Sequence, residues 1–380
     1  MDPHGCAILL AHGDRLEDLE RAGQTDFLAR IVRAYAEAFG EVTVFSYGAN
    51  DDALASHYAP ARIVHAARSG RMGSLQAALG WGLGGALRGI AHIEVRAVSG
   101  MLPALLVWGR PRAPVSLLCG FDWRSHWLRG SPMRFARGWA QRRVASLIER
   151  FGFGRADIVM ASTERIERAL LDRHPRLLGR TVVQPHPVDL SLIPAKREYR
   201  LGEPPSLLFV GRLAPQKNLE VLLEAVALLG CPVRLDLAGD GPLRGSLESL
   251  ARARGVNARF LGVVPVESLY GRYATYDAFV FPTLYEGFPK ALAEALAAGL
   301  PVVASDVEGN ADLVADGRTG LLAPPAVEGI ADALRRLLAD EALREGLGRS
   351  ARAAAARYDW NAVMGLRLAR LKALAPGAAR

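Results

Sequence analysis

Hydrophobic runs of four to six residues recur along the first half of the chain, at 6–11, 42–47, 62–66, 93–98, 115–119, 157–161 and 181–184. Runs of this length, rich in Val, Ile and Leu, predict buried strands. Material with helical spacing separates them, most clearly the amphipathic segment at 25–39 and a Gly- and Leu-rich stretch around 75–87. Strictly alternating strands and helices imply parallel strands joined by crossover helices, hence a doubly wound sheet.

The pattern breaks at 185–205, where five prolines lie among charged residues with little apolar periodicity. That composition predicts a linker. The alternation then restarts, with strands at 207–210, 233–238, 259–261, 278–281 and 301–304 and helices at 218–229 and 243–254. The predicted organisation is a first Rossmann-like domain at 1–186, a linker at 187–205 and a second Rossmann-like domain at 206–357. A closing helix within 358–380 is long enough to cross back to the first domain. The fold class is α/β, two doubly wound domains facing across a cleft, with ligands expected outside the carboxyl ends of the strands.

Composition narrows the setting. The 380 residues are half apolar and 23% charged, which suits a globular protein of two domains. Cys6, Cys119 and Cys231 are far apart and fit neither a disulfide framework nor a zinc site. They suit a reducing compartment, so a cytoplasmic location is expected. No apolar stretch reaches the roughly 18 residues of a membrane span, and Met1 to Gly5 form no basic leader. The formal charge of +8 points to anionic partners. Between Arg124 and Arg150 seven arginines face a single acid, Glu149, with Trp127, Phe135 and Trp139 interleaved. Arg134, Arg137 and Gln141 recur at helical spacing, while Val144, Leu147 and Ile148 could form an opposite apolar face. Such a stretch reads either as a peripheral contact with an anionic membrane or as a solvated surface helix.

Four segments of the second domain carry candidate chemistry. In Phe209-Val-Gly-Arg-Leu-Ala-Pro-Gln-Lys217 the strand ends at Gly211 and leaves Arg212 and Lys217 on the following turn. Two cations beside a helix start suit a diphosphate. In Leu237-Ala-Gly-Asp-Gly-Pro242 the glycines allow a tight strand-to-helix turn. In Tyr285-Glu-Gly-Phe-Pro-Lys-Ala-Leu-Ala-Glu294, Gly287 and Pro289 flank a helix start and Gly299 with Pro301 ends it. The backbone amides at Phe288 and Lys290 can meet an anion there, whereas Pro289 has none to offer. Glu286 lies on the loop, and Glu294 two turns inside the helix among Ala293, Ala295, Leu296 and Ala297. Either Glu294 faces water or it serves a site. The fourth segment, 304–314, is a further strand-end loop with Gly309 opening a short helix.

In order and spacing these segments resemble the carboxyl-terminal domain of family 4 glycosyltransferases, the "glycosyl transferases group 1" type with the GT-B fold. The resemblance rests on the Glu286–Glu294 pair within Glu-Gly-Phe-Pro, on Ala-Gly-Leu-Pro-Val-Val after it, and on Asp316-Gly-Arg-Thr-Gly-Leu-Leu322. It covers roughly 206–360, and weakly 155–189. It implies an enzyme that moves a sugar from a UDP- or GDP-type nucleotide sugar to a glycan, a lipid-linked glycan or a small molecule, with retention and without a metal or cofactor. By resemblance Arg212 and Lys217 hold the diphosphate, Glu294 the ribose and Glu286 the sugar. Gly287, Phe288, Lys290 and Ala291 complete the donor contacts, with Glu286, Arg212 and Lys217 as the catalytic set.

The first domain departs from the family pattern. In place of the usual Gly-Gly loop after the first strand stands His12-Gly13-Asp14, and the segment at Cys119-Gly-Phe-Asp122 lacks the frequent His. Gly13, Asp14 and Asp122 are the candidate contacts from that side. The chain has no Asp-x-Asp pair of the sort that metal-dependent transferases use. A sugar-nucleotide 2-epimerase, a phosphorylase, or a donor-binding subunit without catalysis would share the same frame. The expected partners are the donor, a glycan or lipid-linked acceptor and an anionic membrane surface, and no nucleic acid.

Overall fold

The computed structural model describes residues 4–21, 25–106, 113–121 and 138–374. The chain forms two compact units, Met1–Pro185 with Met364–Arg380, and His186–Val363.

Among the described residues the first unit holds a seven-stranded sheet in the order β3-β2-β1-β4-β5-β6-β7. The strands are β1 (His4–Leu9), β2 (Val42–Ser46), β3 (Arg62–His65), β4 (Ile90–Val95), β5 (Val115–Cys119), β6 (Ile158–Ala161) and β7 (Thr181–Val183). All pair in parallel. Helix Thr25–Phe39 crosses from β1 to β2, and helix Arg71–Leu83 from β3 to β4. Strand β4 ends three residues earlier than the apolar run at 93–98 suggests. Val98–Met101 is a 3-10 turn, and a Cβ on Gly100 would lie 2.4 Å from the Leu10 carbonyl oxygen, so the chain must bend there rather than extend.

A buried ion pair joins the closing helix to this sheet. Arg367, on helix Trp360–Leu374, donates to Glu94 of β4 at 2.5 Å, and the Tyr35 hydroxyl donates to the same carboxylate oxygen. Glu94 and Tyr35 are fully buried. Burial alone would raise the Glu94 carboxyl, but Arg367, Arg96 and the Tyr35 hydroxyl outweigh it and hold it below its usual range.

The basic stretch at 124–150 is described only in part. Arg124 to Arg137 lie outside the described residues, as do the side chains of Trp139, Gln141, Arg142 and Val144. Helix Gly138–Arg155 turns the expected apolar face inward only in part: Ile148 packs against the core, whereas Leu147 is half exposed and Glu149 is buried. Glu149 can go inside because His174 lies 3.2 Å and Arg173 3.9 Å from its carboxylate.

The second unit carries a six-stranded parallel sheet in the order β10-β9-β8-β11-β12-β13. Its strands are β8 (Ser206–Val210), β9 (Arg234–Ala238), β10 (Asn257–Gly262), β11 (Ala278–Phe281), β12 (Val302–Ser305) and β13 (Leu321–Ala323). Strands β8, β9, β11 and β12 are almost wholly buried, which is why they read as unbroken apolar runs. Asp236 is the fully buried polar exception within β9. Its cross-strand partner Arg259 donates at 2.7 Å and the Tyr276 hydroxyl at 2.7 Å, so the charge is matched inside the sheet. The edge strand β13, three residues long, is too short for periodicity to reveal.

The proline-rich segment 187–205 lies within the second unit rather than between units. The Val188 N–H donates to the Tyr358 carbonyl at 2.7 Å, the Lys196 N–H to the Ala298 carbonyl at 2.8 Å, and the Tyr199 hydroxyl to the Gly299 carbonyl at 3.2 Å. Backbone groups satisfied this way tie down a segment with no secondary structure of its own.

Candidate functional site

The winding of the second sheet reverses between β8 and β11, so the loops leaving these two strands diverge and open a crevice at their carboxyl ends. Arg212 and Lys217 lie on the first loop, and Glu286 to Phe288 on the second.

Close backbone contact fixes the first loop. A Cβ on Gly239 would sit 2.0 Å from the Gly211 carbonyl oxygen, and one on Gly241 2.4 Å from that of Leu213. The Leu213 N–H donates to the Asp240 carbonyl at 2.9 Å, and the Leu243 N–H to the Leu213 carbonyl at 3.0 Å. The glycines of Ala-Gly-Asp-Gly therefore hold the neighbouring loop in place. Asn218 adopts a left-handed conformation (φ 54°) and donates to the Pro282 and Pro325 carbonyls, each at 3.2 Å. The Gln216 side chain donates to the Tyr285 carbonyl at 2.8 Å, and its backbone carbonyl accepts from the Leu284 N–H at 2.9 Å. These side chains, not singled out by the sequence, lash the β8 and β11 loops together.

Lys217 reaches across this seam. Its Nζ donates to Glu286 Oε1 at 2.5 Å and lies 5.0 Å from the centre of the Phe281 ring. The loop after β12 supports Glu286 from behind: its N–H donates to the Glu308 carbonyl at 3.2 Å, and a Cβ on Gly309 (φ 86°) would lie 2.7 Å from its carbonyl oxygen. Arg212 is exposed at the mouth of the β8 loop.

Helix Lys290–Ala298 begins behind Glu286. Its N-cap, Pro289, supplies no side-chain cap, and Gly299 closes the helix in the left-handed region (φ 70°). An uncapped helix start presents first-turn N–H groups and the positive end of the dipole, which suits an anion. Ala291 and Lys290 are half-buried there, as are Gly287 and Phe288. The Phe288 ring is wedged between His186 (5.2 Å) and Tyr358 (5.4 Å, edge-on).

Glu294 does not face water; it is 4% exposed. The Tyr273 hydroxyl donates to its Oε2 at 2.9 Å, and the Tyr270 hydroxyl to Oε1 at 3.4 Å. Both tyrosines lie on helix Val266–Tyr273, and their spacing of three residues is the signal that could have paired them with Glu294. Burial pushes the Glu294 carboxyl up, while Lys290 and the two hydroxyls act in the opposite direction. The result is a buried carboxylate with acceptor capacity to spare, on the helix whose start favours an anion.

In the first unit Gly13 (φ 89°) and Asp14 follow β1, whose neighbour across the reversal of that sheet is β4. Asp14 is exposed, yet the protein packed around its carboxyl, with Asp18 nearby, pushes it up to about 6 against the pull of Arg96. Asp122 lies outside the described residues.

Two parallel-sheet units of this kind are the GT-B fold, and part of the second resembles a known family. Residues 195–354 match the family model for glycosyl transferases group 1. The chain is 36% identical over 162 residues to the alpha-D-kanosaminyltransferase of Streptomyces kanamyceticus, covering 41% of this chain and 42% of that protein. It is 35% identical over 207 residues to the GDP-mannose-dependent alpha-mannosyltransferase of Mycolicibacterium smegmatis, covering 48% and 52%. The matched stretches thus span about half the length of these relatives or less. A crystal structure of Anabaena HepE in complex with UDP and glucose superposes with a TM-score of 0.73 at 19% identity, covering 97% of this chain and 100% of that one. Among the described residues no helix is long and apolar enough to cross a membrane.

Proposed function

We propose that the protein transfers a sugar from a nucleoside-diphosphate sugar to a hydroxyl acceptor, a glycan or lipid-linked glycan, with retention at the anomeric carbon. The observation that carries this reading is the Lys217–Glu286 contact across the winding reversal of the second sheet, with buried Glu294 on the helix that follows. Cations and helix amides for a diphosphate, one carboxylate for the attached sugar and a second for the ribose are the groups a nucleoside-diphosphate sugar requires. The named relatives support the donor class, one using GDP-mannose and one solved with UDP.

In this reading Arg212, Lys217 and the amides at Phe288 and Lys290 hold the diphosphate. Gly287 and Ala291 let it approach the backbone, Glu286 accepts from sugar hydroxyls and Glu294 from the ribose. The bond from anomeric carbon to diphosphate oxygen breaks and a bond to the acceptor oxygen forms on the same face. The acceptor proton passes to the departing diphosphate. Negative charge grows on that diphosphate as the bond breaks, so Arg212 and Lys217 matter most in the transition state. They replace the metal ion that other transferases employ. Gly13, Asp14 and Asp122 are proposed contacts from the acceptor-side domain at 1–186. The basic stretch at 124–150 is a proposed peripheral contact with an anionic membrane face.

Glu294→Ala tests the donor reading. Loss of a hydrogen bond to a charged group costs about 1.5–3 kcal/mol, so affinity for UDP or GDP is expected to fall about tenfold or more with the fold intact. Unchanged affinity by calorimetric titration would remove Glu294 from the site.

A further inference from the structure

Helix Arg71–Leu83 of the first unit is packed inside out. Its buried residues are Gly73, Ser74, Ala78, Trp81 and Gly82, whereas Met72 is 68% exposed, Leu75 39%, Leu79 37% and Leu83 56%. At about 100° per residue these four side chains fall within an arc of roughly 80°. The glycines explain the inversion. A Cβ on Gly73 would lie 2.0 Å from the Arg68 carbonyl oxygen, and one on Gly82 2.6 Å from the Leu106 Cβ, so the buried face needs glycine at these two points and carries Trp81 as its one large side chain. Met72 and the three leucines are left outside, and a contiguous apolar stripe on a surface is a mark of an interaction site.

Charge identifies the occupant. No Asp or Glu occurs from Ala53 to Ile93, while Arg62, Arg68, Arg71 and Arg88 are all exposed. Arg68 and Arg71 stand at the start of the stripe and Arg88 just beyond its end. We infer that this helix is a membrane-docking element, its Met72–Leu75–Leu79–Leu83 stripe entering the interface of an anionic bilayer while the arginines engage lipid phosphates. A second copy of the chain is disfavoured, because every charged residue of the segment is positive and self-pairing would oppose like charges. The inference is independent of the donor-site reading and of the stretch at 124–150.

The test is co-sedimentation with vesicles of phosphatidylcholine alone and of phosphatidylcholine with phosphatidylglycerol. The wild type is expected to bind the anionic vesicles and to bind less as salt rises. Replacing Leu75, Leu79 and Leu83 with Gln is expected to weaken binding at least about tenfold even at low salt. Replacing Arg68, Arg71 and Arg88 with Gln is expected to weaken binding to the anionic vesicles several-fold, any remainder resting on the stretch at 124–150. Leu83→Gln alone, at an exposed helix end, provides a variant whose folding is not at risk. Failure of the wild type to bind anionic vesicles overturns the inference, as does wild-type binding by the leucine variants. A dimer in light scattering that the leucine variants dissociate, without vesicle binding, would assign the stripe to a second copy instead.

Discussion

Glu294 is a carboxylate carried into the interior by a helix whose other inward residues are alanine and leucine, and two tyrosine hydroxyls keep it hydrogen-bonded there. Burial favours its neutral form, and Tyr273, Tyr270 and Lys290 favour the charged one. A ribose hydroxyl would donate to the ionised carboxylate, so nucleotide affinity is expected to rise with pH as Glu294 deprotonates. Tyr273→Phe removes one hydroxyl that favours the ionised form. The raised carboxyl moves up further, and the rise in affinity should shift to higher pH, with affinity well above that pH nearly restored. A pH series of UDP and GDP titrations reads this directly; an unmoved profile would leave Tyr273 as packing alone. The sequence made Glu294 legible through its alanine surroundings. It hid the tyrosines, because their three-residue spacing marks a shared helix face but not the carboxylate, 24 and 21 residues downstream, that they meet.

At the scale of elements, the closing helix is held to the first sheet by a charge that cannot be left alone. Removing one partner of a buried pair leaves an uncompensated ion and costs about 3–5 kcal/mol. Arg367→Met is therefore expected to lower the calorimetric unfolding midpoint, and adding Glu94→Leu should recover much of the loss. Glu94 is held below its unfolded value, so the stability it contributes is present above that value and is lost as pH falls through the folded one. Acid should narrow the gap between Arg367→Met and wild type. Strands were legible wherever both faces are buried, as in β8 and β11. Helices with unusual faces were not. Leu147 points outward because Glu149 finds His174 inside, and the leucines of Arg71–Leu83 point outward because its glycines need close contact. In both, tertiary contacts override periodicity.

Across the molecule, two parallel sheets with reversed winding were visible from alternation as doubly wound α/β units, the GT-B class only from the resemblance, while the segment at 187–205 shows the limit of composition. Prolines and charges predict a linker, but hydrogen bonds to Tyr358, Ala298 and Gly299 make it part of the second unit. The second unit was the readable half because its candidate residues sit in contiguous loops. The first unit distributes Asp14 and its surroundings over distant segments, and Asp122 lies outside the described residues. The central claim is that Arg212 and Lys217 stabilise a departing diphosphate. It is tested most directly by the single-turnover rate of donor cleavage, with water as acceptor, measured in chelator beside the donor dissociation constant, using UDP-glucose and GDP-mannose. Arg212→Ala and Lys217→Ala are each expected to lower the rate about a hundred- to a thousandfold while weakening donor binding much less. Lys217→Arg should recover only part of the loss, and chelator should leave the wild-type rate unchanged. Near-normal rates at saturating donor in both alanine variants would contradict the account.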